Sequence, residues 1–79
     1  MKAKIPPDFP SRVKRLRAEL DLTQVELAGR LGVSFASVNR WENRQARPSL
    51  LAWQKITHAE QLGIAALGGV ERPVGGERE

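Results

Sequence analysis

The side chains best suited to directed contacts fall in one run, residues 34–49, "SFASVNRWENRQARPS". Placed on a helix at about 100° per residue, Ser37, Val38, Trp41 and Glu42 fill one half. Ala36, Asn39, Arg40 and Asn43 fill the other, and Phe35 stands at the boundary. Val38 and Trp41 read as core anchors, while the opposite half is small, amide-bearing and cationic. That outer chemistry matches base edges in a DNA major groove. Arg pairs with guanine O6 and N7, Asn with adenine N6 and N7, and Ala or Phe meets a thymine methyl. Taken singly, Asn39 and Arg40 are more simply explained as solvated residues. The combination argues otherwise, because a helix made only for solvent would use stronger helix formers than Phe, Ser, Val and Asn. An exposed Phe35 also needs a reason.

Cations flank this run. Arg44 and Arg47 follow it, and Arg12, Lys14 and Arg15 lie on an earlier helical stretch. Lys and Arg beside a groove-reading helix neutralise phosphates and set its register. Gln24 opens another helix, where unpaired N–H groups and the helix dipole favour an anion.

The elements that must position these residues are helices. In "DFPSRVKRLRAEL" apolar residues recur at 9, 13, 16 and 20, one narrow stripe of a first helix, with Asp8 as its expected N-cap and Pro10 tolerated in the first turn. Arg17 sits at the edge of that stripe. In "DLTQVELAGRLG" Thr23 and Glu26 have capping-box spacing, Leu27, Ala28 and Leu31 face inward, and Gly32 ends the helix. Ser34 then caps a third helix, so one or two residues make a sharp corner, the mark of a helix-turn-helix. A fourth helix runs on from Ser49, with Ala52, Trp53, Ile56 and Ala59 on one face. Gly63 is its expected end, and "GIAAL" a short fifth turn or a continuation. With no credible strand the fold class is all-α, a compact four- to five-helix bundle. Residues 1–7 read as a flexible basic arm, 8–67 as the domain, and 68–79, rich in Gly, Pro and charge, as a disordered tail.

The chain has 79 residues, enough for one domain with a thin core. It has no cysteine and a single histidine, His58, which removes disulfides, thiolate metal sites and His-based relays. No metal or cofactor is expected. Neither paired carboxylates in a plausible pocket nor a phosphate-cradling Gly-rich loop is present, so an enzyme is the weakest class. No apolar run reaches the ~20 residues of a membrane span, and no signal peptide is recognisable. The expectation is a soluble protein in a prokaryotic cytoplasm, nucleoid-associated when bound to DNA. The net charge of +4 fits a polyanionic partner, nucleic acid first. RNA is disfavoured because no aromatic stacking platform is evident.

Residues 11–49, "SRVKRLRAELDLTQVELAGRLGVSFASVNRWENRQARPS", resemble the phage-repressor and Cro-like helix-turn-helix family, also called the xenobiotic-response-element family. The resemblance extends over about residues 11–60. "LTQVELAGRLGVS" and "VNRWEN" are its most specific parts. It implies a lambda-repressor-like five-helix domain, a homodimer on double-stranded DNA, and a role in transcription. Carried over, Ser34, Phe35, Ala36 and Arg40 face bases, and Gln24, Ser37, Asn43 and Arg47 face phosphates. The wheel adds Asn39 to the base-facing set, and the flanking charge adds Arg44 to the phosphate set. The family commonly pairs an Arg of the first helix with the Glu of the "WEN" stretch, here Arg17 and Glu42, a structural ion pair.

Two positions depart from the pattern: Asp21 and Arg44 stand where many members have Gly. The backbone there tends to turn left-handed, at Arg44 itself or at Asn43 in its place. Beyond residue 60 the match to the family's fifth helix is poor. A second reading is an antitoxin or other protein-interaction module, with "GIAALGG" and the tail holding a protein partner.

Overall fold

The computed structural model describes residues 5–67. The expected tail, 68–79, and most of the expected basic arm, 1–4, lie outside the described residues. Four α-helices follow one another: α1 (Phe9–Leu20), α2 (Gln24–Leu31), α3 (Phe35–Glu42) and α4 (Leu50–Leu62), then a 3₁₀ turn at Ile64–Ala66. Among the described residues there is no strand, and the fold is an all-α bundle.

α2, α3 and α4 each start where a side chain satisfies one of the first unpaired amides. Thr23 Oγ1 accepts from Glu26 N at 3.0 Å and Glu26 Oε1 accepts from Thr23 N at 2.9 Å, a complete capping box. Ser34 caps α3 through Ser37 N and Ser49 caps α4 through Ala52 N, each at 3.1 Å. The start of α1 corrects the expectation for Asp8. It occupies the N-cap position, but its side chain makes no capping bond. Its backbone is at φ −90° and ψ 18° rather than extended, and Pro10 within the first turn has no amide to cap.

The first three helices stop in the same way. After each, one residue turns left-handed: Asp21 at φ 58°, Gly32 at 76° and Arg44 at 58°. The next amide then reaches back to a carbonyl five residues earlier: Leu22 to Arg17, Val33 to Ala28, Gln45 to Arg40. Of the two residues that might have turned at the end of α3, Arg44 does so, and Asn43 keeps φ −99°. Only Gly32 makes this turn without a steric penalty.

The core is one cluster built from Phe9, Val13 and Leu16 of α1, Leu27, Ala28 and Leu31 of α2, and Val38 and Trp41 of α3. Ala52, Trp53, Ile56 and Ala59 of α4 complete it with Leu67, which folds back after the 3₁₀ turn. Two cationic contacts tie α4 to the rest. Arg12 makes a two-pronged ion pair with Glu60 while its guanidinium lies 4.9 Å from the Trp53 ring centre. Lys55 Nζ donates to the Leu31 carbonyl at the end of α2, at 3.3 Å. These fix α1, α2 and α4 as a frame that holds one face of α3.

Candidate nucleic-acid interface

Three residues, Gly32, Val33 and Ser34, separate α2 from α3. The corner is sharp because Gly32 is left-handed and Ser34 is extended at φ −79° and ψ 155°. α3 presents Val38, Trp41 and Glu42 inward, all buried. Its other side is open: Phe35 is 49% exposed, and Ala36, Arg40 and Asn43 are exposed as well. A helix anchored along one face and bare along the other is the arrangement by which a recognition helix enters a groove.

The exposed side divides into committed and uncommitted side chains. Arg40 and Arg47 are exposed and make no side-chain hydrogen bond or ion pair among the described residues. Ser34 Oγ accepts from Ser37 N, and the two serine hydroxyls are 3.0 Å apart. Asn43 Nδ2 donates to the Asn39 carbonyl at 2.8 Å and touches Asn39 Oδ1 at 3.4 Å. Arg44 is turned toward the start of α1, donating to the Pro7 carbonyl at 2.8 Å with its guanidinium 5.7 Å from the Phe9 ring centre. Arg12, grouped above with the flanking cations, is instead engaged by Glu60 and Trp53 on the α1–α4 seam.

Behind this face runs a chain of polar contacts. Arg17 Nε and Nη2 meet Glu42 Oε2 and Oε1 at 2.6 and 3.0 Å, and Arg17 Nη1 donates to the Leu22 carbonyl. Gln24 Nε2 donates to Glu42 Oε1 at 2.9 Å, and Gln24 Oε1 accepts from Asn39 Nδ2 at 3.2 Å. Burial by itself would raise the Glu42 carboxyl pKa. The hydrogen bonds from Arg17 and Gln24 and the charges of Arg17 and Lys14 outweigh it and hold that pKa below the usual range. The same pair raises the Arg17 guanidinium, chiefly through its hydrogen bond to Glu42. Half-buried Gln24, singled out as a phosphate contact, thus has both ends of its amide engaged and one N–H to spare.

A protein-family model described as helix-turn-helix matches residues 13–66, which take in α1 from Val13 onward and all of α2, α3 and α4. The chain belongs to the helix-turn-helix family of phage-repressor and Cro type. Neither the curated proteins nor the solved structures compared with the chain gave a match. Helix-turn-helix membership places the chain among DNA-binding regulators as a class. Among the described residues of this helix-turn-helix domain no group of His, Cys, Asp and Glu is placed to hold a metal ion. No helix there is long and apolar enough to cross a membrane.

The links of Gln24 to Glu42 and Asn39 were missed by wheel and motif, since neither represents contacts between helices. Glu42 carried the one available signal: a carboxylate on a core-facing half needs partners, and a single Arg supplies only part of them.

Proposed function

We propose that residues 8–67 form a sequence-specific, double-stranded-DNA-binding unit of a transcriptional regulator that reads the major groove with α3. Ser34, Phe35, Ala36, Asn39 and Arg40 are the base-facing set. Gln24, Ser37, Asn43, Arg44 and Arg47 are the phosphate-facing set. The observation that carries this reading is the two-sidedness of α3: Val38, Trp41 and Glu42 buried, Phe35, Ala36 and Arg40 bare. Arg40 supplies two parallel donors for a guanine edge, and Arg47 a charge for the backbone beside it.

A short recognition helix reads few base pairs, so two copies are expected on half-sites about one helical turn apart. Support for a pairing surface comes from α4 and the turn after it, where Leu50, Leu51, Leu62 and Ile64 are all exposed large apolar residues. Selection of bound sequences from a random DNA pool tests the reading. An enriched motif with two-fold symmetry supports it, and a pool that stays random overturns it. The same apolar residues favour one rival, a protein-interaction module of antitoxin type. A stable complex with a protein partner, formed without DNA by a chain that enriches no motif, would favour that rival.

A further inference from the structure

We propose that Glu42, acting through Gln24, fixes which way round the Asn39 amide is presented, and so sets Asn39 to read adenine against guanine. The proposal rests on the DNA-binding reading above and names two positioning residues for it, Glu42 and Gln24.

The order of contacts leaves no choice of direction. Glu42 is gripped on both oxygens by Arg17 and is an acceptor only. Gln24, 2.9 Å away, must therefore turn its NH₂ toward Glu42. Its carbonyl oxygen is thereby aimed at Asn39, and an oxygen there must meet a donor, so Asn39 turns its NH₂ inward at 3.2 Å. A planar amide with its nitrogen committed on one side leaves Oδ1 and one N–H. Asn43 touches that Oδ1 only at 3.4 Å, its better bond being to the Asn39 main-chain oxygen at 2.8 Å. At least one lone pair of Oδ1 remains.

One acceptor beside one donor complements adenine, whose N6 amino group donates and whose N7 accepts. Guanine offers two acceptors, O6 and N7. Against it Asn39 has a single N–H, and Oδ1 opposes O6. Were the Asn39 amide reversed, both its N–H groups would face outward and guanine would be served. The ionised carboxylate of Glu42 excludes that reversal two side chains away.

The test uses the full chain and its selected site. The position under Asn39 is identified as the one where Asn39→Ala loses base preference. Adenine should be favoured there over guanine by roughly tenfold or more. Gln24→Met keeps length but has no donor for Glu42 and only a weak acceptor in place of the amide oxygen. It should bring that ratio toward one while preference at the position read by Arg40 stays. A merely structural role for Gln24 would lower affinity for every sequence alike and leave the ratio intact. Base analogues keep the proposal open to test if Gln24→Met fails to fold. The unaltered protein should weaken on purine, which lacks the N6 amino group, and on 7-deazaadenine, which lacks N7. Guanine at the Asn39 position, an unchanged ratio in Gln24→Met, or indifference to both analogues overturns the relay alone. A pool with no enriched motif overturns the DNA-binding reading itself.

Discussion

Arg17 and Glu42 meet edge to edge, Nε 2.6 Å from Oε2 and Nη2 3.0 Å from Oε1, and only the Arg end reaches water. The Glu42 side chain is 3% exposed and the Arg17 side chain 25%. The pair joins α1 to the end of α3, and Gln24 extends it to the start of α2. Glu42→Ala strands Arg17 and frees Gln24 at once. Removing one partner of such a pair is expected to cost about 3–5 kcal/mol, a large share of a small domain's stability. Thermal unfolding of the variant checks this; melting within a degree or two of the parent would show that the pair contributes nothing.

The same carboxylate gives stability a pH dependence of definite sign. Its pKa is lower folded than the ordinary value of 4.5. The contribution is therefore complete above that ordinary value, weakens as pH falls below it, and is lost once pH has passed through the folded value. Denaturant titrations at stepped pH should show stability dropping across that acidic range. Glu42→Gln, which has no charge to lose, should show a smaller drop. Equal slopes for the two proteins would place the acid sensitivity elsewhere.

Arg44 combines a strained backbone with two favourable side-chain contacts, and two substitutions separate them. At φ 58° a residue with a Cβ is penalised by roughly 1 kcal/mol relative to glycine. Arg44→Ala keeps that penalty and loses the Pro7 and Phe9 contacts. Arg44→Gly loses the contacts and the penalty together. The glycine variant should therefore be more stable than the alanine variant by about 1 kcal/mol, as read from paired denaturant midpoints. Alanine equal to or better than glycine would mean that the loop relaxes out of the left-handed conformation.

How far the fold was legible follows from the range of its determinants. Helix starts at Thr23, Ser34 and Ser49 are set by side chains within three residues of the amide they satisfy, so local spacing suffices to place them. Asp8 looked equivalent by composition, yet its backbone is not extended, and composition does not report that angle. Three helices share one termination, but glycine marks only Gly32; Asp21 and Arg44 required the family pattern to be noticed. The contacts of Arg12 with Glu60 and of Arg44 with Pro7 join residues 48 and 37 apart. No periodicity encodes such pairs. The outer half of α3 was visible on a helical wheel, whereas the direction of the Asn39 amide depends on Glu42 through an intervening helix.

The proposed DNA-binding reading gives Arg40 and Arg47 different jobs, which salt separates. Arg40 lies mid-face on α3, where its guanidinium can meet a guanine edge with two hydrogen bonds. Arg40→Ala should cost about 1–3 kcal/mol on the preferred site and relax preference at one position of the half-site. Arg47 follows the left-handed turn at Arg44, in the loop before α4. On the proposed reading its charge lies beside the phosphates, where each contact releases a condensed counterion. Arg47→Ala should weaken binding to all sequences alike and reduce the slope of log affinity against log salt by about one unit. Titration of both variants against the selected site and its single-base changes, at several salt concentrations, checks the division. A uniform loss for Arg40→Ala with no change in base preference would move Arg40 off the recognition face. A changed base preference for Arg47→Ala would place its loop in the groove instead of along its edge.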